Sequence, residues 1–134
     1  MTVPAIEGLI VVPTKHTVAE VLTRIVSIAK ARGITIFAQI DFSGDAARSK
    51  LTLRPTGLVI LGNPTAGTPL MVATPTVAID LPLKLLAFED EDGGTWVAYN
   101  DPHYLQRRHG FPETLTNNLV AIGALAQAVA KATV

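Results

Sequence analysis

LRPTGLVILGNPTAGTPLMVATPTVAIDLPL, residues 53–83, is the stretch on which the fold turns. Leu58-Val59-Ile60-Leu61 is a continuous apolar run, and Gly57 before it with Gly62-Asn63-Pro64 after it bounds a buried strand over 57–61. The prolines and glycines beyond it leave space for one short helix before the next apolar run opens at Leu83. Thr68 is a candidate cap for that helix, expected over 68–73. Pro69 then falls at its first position, where a missing N–H costs nothing.

Upstream, Leu9 to Val12 is a short β-branched run that Pro13 is expected to end. Thr17 and Glu20 have the spacing of a capping box, and Val18, Val21, Leu22, Ile25, Ile28 and Ala29 follow on one helical face, so a helix is predicted over 17–32. Gly33 suits its stop. From Ile34 the period becomes two. Ile34, Ile36, Ala38, Ile40 and Phe42 are expected on one face of a strand, which Ser43-Gly44 breaks. Asp45 to Lys50 has the composition of a helical turn.

Downstream, 83–89 and 95–100 flank Asp90-Glu91-Asp92-Gly93-Gly94, which reads as an exposed hairpin connection. Asp101-Pro102 caps and opens a short helix through Arg108, and Gly110 ends it. Leu115, Leu119, Ile122, Ala126 and Val129 form one stripe of a final helix expected over 113–131. The order is therefore β-α-β-β-β-β-α. With too few helices to cross over between every strand pair, the class is α+β: a two-layer domain with a largely antiparallel sheet and its helices packed on one face.

At 134 residues and 49% hydrophobic content, the chain fits one domain spanning 1–134. Eleven basic residues balance eleven acidic ones, which removes the field a nucleic-acid partner needs. Cysteine is absent, excluding disulfides and thiolate chemistry. The N-terminus lacks a basic region before its apolar run and carries Glu7, so no secretory signal is expected, the chain is expected to start here, and its location is expected to be cytoplasmic. The longest mostly apolar stretch, 119–130, falls short of the ~20 residues of a membrane span.

Six ordered motifs carry a resemblance: Ile40-Asp41, Leu53-Arg54-Pro55-Thr56, Leu61-Gly62-Asn63-Pro64, Ala66-Gly67-Thr68-Pro69-Leu70-Met71, Ile79-Asp80-Leu81-Pro82-Leu83-Lys84 and Tyr99-Asn100-Asp101-Pro102. Together they resemble the DUF302 family over nearly the whole chain. The resemblance implies a small bacterial or archaeal α+β domain, often dimeric, and implies no reaction. Members commonly show Asp-His where this chain has Asp41-Phe42, and Phe-Gly-Asn-Pro where it has Leu61-Gly62-Asn63-Pro64. Any chemistry resting on that histidine is missing here.

Asp80 lies among Ile79, Leu81 and Pro82, apolar surroundings of the kind that suit a carboxyl to general acid or base work; a turn cap or an ion pair with a neighbouring cation such as Arg54 is the favoured reading. Asn63 offers donor and acceptor beside a turn, Ala66-Gly67-Thr68, whose N–H groups can face an anion, although no Walker or dinucleotide spacing is present and turn geometry accounts for the same residues. His103 and His109 point to different faces of one helix, and His16 stands apart, so no metal site is expected. Ser27, Ser43 and Ser49 lie in no nucleophile elbow.

Two readings follow. In one the chain is a non-catalytic homodimer that binds a small anionic or polar ligand, or a protein, at a pocket framed by Arg54, Asn63, Thr68, Asp80 and Tyr99. In the other it is a small cofactor-free hydrolase or isomerase with Asp80 as general base, Asn63 or Tyr99 as donor and Arg54 binding an anionic substrate. Both require those side chains to converge.

Overall fold

Thr17 fixes the start of the first helix. Its hydroxyl accepts from the Glu20 N–H at 3.1 Å, and its own N–H donates to the Glu20 carboxylate at 2.9 Å, the reciprocal pair of a capping box. The computed structural model that shows this describes residues 3 and 5–132. In chain order it contains β1 (Leu9–Thr14), α1 (Val18–Ala31), β2 (Thr35–Asp41), α2 (Phe42–Arg48), β3 (Thr56–Gly62), α3 (Pro64–Ala73), a 3-10 helix (Pro75–Asp80), β4 (Leu83–Glu89), β5 (Thr95–Asn100), α4 (Pro102–His109), a second 3-10 helix (Glu113–Asn118) and α5 (Ala121–Ala130).

The strands form one sheet, ordered β1-β5-β4-β3-β2, in which every neighbouring pair is antiparallel. Its buried face carries Val12, Val59, Leu85 and Val97, packed against Val18, Val21 and Ile25 of α1 and Ile122, Leu125 and Val129 of α5. This is the two-layer α+β architecture the element order predicts. Gly57 lets α1 close on β3, because a Cβ there would stand 2.6 Å from Leu22. A second apolar cluster, Leu70, Val77, Leu105, Phe111 and Leu119, ties the short helices together.

The last carbonyls of α5, which a helix leaves without partners, are taken up by side chains from the other end of the chain. Arg24 donates Nε to Val129 O at 2.9 Å and Nη2 to Ala128 O at 3.0 Å. Thr14 Oγ1 donates to Ala130 O at 2.9 Å, and the His16 ring meets Lys131 O. These bonds dock α5 against α1 and β1.

Several elements depart from expectation, each for a local reason. β1 runs past Pro13 to Thr14; as an edge strand it pairs only with β5, so the ring costs no ladder bond on its open side. α2 begins at Phe42, where Asp41 caps it by accepting from Gly44 N–H at 2.9 Å. α3 starts at Pro64, with Asn63 as its cap, so Thr68 lies inside the helix and Pro69 is an internal proline. The predicted helix over 113–131 is broken, becoming a 3-10 turn followed by α5. Asn117 and Asn118 are poor helix residues, and the break lets Leu119 enter the second cluster while Ile122 enters the first.

β2 also differs in its facing. Ile36 pairs with Leu61 and Ala38 with Ile60, so Phe37 is an extra residue in a bulge. Ile34 and Ile36 pack under the helices, whereas Ala38 and Ile40 turn to the opposite face with their partners Ile60 and Leu58. That opposite face has a continuous apolar row across all five strands: Val11, Ala98, Leu86, Leu58 and Ile40. Trp96 and Phe88 pair beside it. Neither core cluster includes any of these residues.

The 90–94 connection is not wholly exposed, because Asp90 is only 6% exposed. Its carboxylate accepts from the Trp96 indole at 2.7 Å, from Gly94 N–H at 2.9 Å and from Asp92 N–H at 2.8 Å. These donors, the indole first and Gly94 next, hold its pKa below the usual carboxylate range against the effect of burial. A lowered folded-state pKa stabilises the fold above the ordinary carboxylate value, and that contribution disappears as pH falls through the lowered one. Asp90→Asn is therefore expected to melt at a lower temperature at neutral pH and to show a shallower fall in Tm on acidification, read from thermal melts across pH.

Candidate functional site

At the end of β3 the chain turns through Gly62-Asn63-Pro64 into α3, and here a cleft opens between the two apolar clusters. Asn63 Oδ1 accepts from Thr65 N–H at 2.9 Å, while Ala66 and Gly67 N–H both donate to Asn63 O at 2.9 Å, so these amides are spent on the helix start rather than aimed at an anion. The cleft has a volume of about 310 Å³. One wall is Ala66, Gly67, Thr68 and Met71 of α3; the opposite wall is Leu119, Ala121, Ile122 and Leu125. Leu81, Pro82, Leu83, Ile34 and Phe37 complete it. Asn118 Nδ2 donates to Ala66 O at 3.0 Å and holds the two walls together at the rim.

Asn63 and Thr68 line this cleft, whereas Arg54, Asp80 and Tyr99 do not. Arg54 is exposed ahead of β3, so the length of that strand, about 20 Å at the usual rise, separates it from Asn63 at the other end. Tyr99 faces α5 from β5, and a Cβ on Gly123 would stand 3.1 Å from its hydroxyl. Burial first, and the Asp101 charge second, push the Tyr99 pKa up. Asp80 ends the first 3-10 helix beside Leu81 but turns toward α4: Arg108 Nη1 lies 3.2 and 3.0 Å from its two oxygens, and His109 Nε2 lies 2.6 Å from Oδ2. Its cationic partner is thus Arg108, with Arg54 far away.

Two features escape a reading of the sequence. The cleft is completed by aliphatic residues far from its motif residues in sequence, such as Ile34 and Leu119, 85 positions apart, which belong to none of the motifs. The other feature is Thr76, whose Oγ1 lies 3.0 Å from His109 Nδ1 on the far side of the ring from Asp80. The only available signal was the position of His109 at a helix end. Among the described residues, no group of three or more His, Asp or Glu is placed to hold a metal ion, and no helix is long and apolar enough to cross a membrane.

The family described as "Domain of unknown function DUF302" matches residues 10–131. Proteins named "Fluoride-specific ion channel FluC 1" from Brucella suis biovar 1 and Brucella abortus biovar 1 are each 42% identical to this chain over 102 residues, 76% of its length. That segment makes up 40% and 38% of those proteins, so the chain spans well under half the length of the curated relatives it matches. The crystal structure of a conserved DUF302 protein from Bacillus stearothermophilus superposes with a TM-score of 0.76 at 17% identity, covering 93% of this chain and 97% of that one, a likeness of fold.

Proposed function

The chain belongs to the DUF302 family, and we propose that it is a homodimeric binding module whose cleft takes a small, mostly apolar ligand with an uncharged polar end. The observation that carries this reading is the make-up of the cleft, in which no lining residue is charged. Its volume of about 310 Å³ is at the small end of ligand sites. An anionic ligand would find no counter-charge there, whereas Asn63, Thr68 and Asn118 offer a hydroxyl or amide its hydrogen bonds. This narrows the expected ligand from anionic or polar to apolar with a neutral head. Asp80 as general base is the weaker reading, because Arg108 and His109 already engage its carboxylate.

The proposed homodimer forms through the sheet face opposite α1 and α5, where Ala98 is buried and Val11, Leu86, Leu58 and Ile40 are half-buried. Five strands of about six residues present roughly 24 Å by 20 Å, with the uncharged row from Val11 to Ile40 across the centre. That row is the apolar centre of a face that also carries Lys84, beside Ile60, and Asn100, beside Leu9. A second copy supplies a surface of the same kind, and two such sheets pack face to face about 10 Å apart.

The Brucella relatives favour a second reading, in which the domain serves a fluoride channel and responds to the ion. A thermal-shift experiment separates the two. Decanol at ~100-fold its dissociation constant adds about 2.7 kcal/mol of stability if the cleft binds it. A shift with sodium fluoride beyond that of sodium chloride, and none with decanol, favours the channel reading.

A further inference from the structure

We propose that Thr76 is an activated hydroxyl that accepts acyl groups from activated esters and thioesters, with His109 as its base and Asp80 as the group that orients His109. The Asp80 carboxylate, 3.0 Å from Arg108 Nη1, is held by that guanidinium as a pure acceptor. It therefore requires a proton on the ring nitrogen it faces, His109 Nε2, at 2.6 Å. With the proton on Nε2, the neutral imidazole presents a lone pair at Nδ1, 3.0 Å from Thr76 Oγ1. The hydroxyl proton is thus aimed at a base whose tautomer a carboxylate fixes, which is the hydroxyl–imidazole–carboxylate arrangement of acyl-transfer nucleophiles with the two ring nitrogens exchanged.

The exposure of the three groups suits that role. His109 is only 6% exposed and Asp80 13%, so the base and its partner are shielded. Thr76 itself is exposed, so an electrophile can reach Oγ1. The ring is held in place by α4, whose end is fixed by Gly110 in the left-handed conformation, φ 73°. This site is separate from the apolar cleft and does not depend on what binds there.

In the step proposed, Thr76 Oγ bonds to the carbonyl carbon as its proton passes to His109 Nδ1. The tetrahedral intermediate then expels the alkoxide or thiolate, which takes the proton from Nδ1, leaving an acyl ester on Thr76. No oxidant, reductant or metal enters the balance. Incubation with p-nitrophenyl acetate followed by peptide mass mapping tests it. Acetylation concentrated on Thr76, lost in Thr76→Ala and at least a hundredfold slower in His109→Gln, is expected for a base of this kind. Acetyl groups only on lysines and the N-terminus, or Thr76 modified equally fast without His109, would overturn it. Should His109→Gln not fold, Thr76→Ser decides: its less hindered hydroxyl must be acetylated faster at residue 76, and an unmodified serine there sinks the proposal.

Discussion

Replacing Phe111 by alanine is expected to lower the unfolding free energy by about 3–5 kcal/mol. Phe111 is the largest fully buried side chain, 1% exposed, and it sits in the second cluster with Leu70, Val77, Leu105 and Leu119. Those partners come from α3, the first 3-10 helix, α4 and the segment before α5, with Leu83 at the start of β4 packed against them. They have no regular ladder to keep them in place, so a cavity at Phe111 is filled by their collapse or left open. Against a typical total stability of about 5–15 kcal/mol, the loss is a large share. Because Leu119 and Met71 belong to both this cluster and the cleft walls, the variant should lose ligand stabilisation along with stability. Urea titration of the variant beside the parent protein measures it.

The second large effect is expected at Leu86, in the middle of the apolar row between Leu58 and Ala98. Leu86→Asp should convert the proposed dimer to a monomer and weaken association at least a hundredfold, since each face would carry an unpaired carboxylate into a buried sheet-to-sheet contact. In the monomer the same carboxylate faces water, so the far-ultraviolet spectrum should be unchanged. Sedimentation at several concentrations reads the outcome. A monomeric parent protein would remove the sheet face from the account.

Local signals were legible in the residues and long-range ones were not. Thr17 with Glu20, and Asp101 with Pro102, announce helix starts through contacts within four residues, and both appear where expected. Thr68 misled because Thr-Pro is as good a start signal as Asn63-Pro64, and what selects the earlier one is the end of β3 at Gly62. The bulge at Phe37 is set by pairing with β3, so the alternation of Ile34 to Phe42 alone suggested one face where there are two. The broken final helix follows from two clusters competing for Leu119 and Ile122, a conflict no periodicity shows. Among the site residues, Asn63 and Thr68 are brought to the cleft by the same element, Asn63 as the cap of α3 and Thr68 within it. Arg54 and Tyr99 are held away by the length of β3 and by the facing of β5.

Gly67 offers the most direct test of the cleft. It lies inside α3, lines the cleft, and a Cβ there meets only Leu81, at an ordinary 3.9 Å. A leucine at this position projects into the cleft while replacing a poor helix residue by a good one, a gain of up to about 1 kcal/mol. Calorimetric titration of decanol into the parent protein and into Gly67→Leu should show saturable binding in the first and none in the second, with the variant at least as stable. Equal binding by both proteins would contradict the assignment of the ligand site to this cleft.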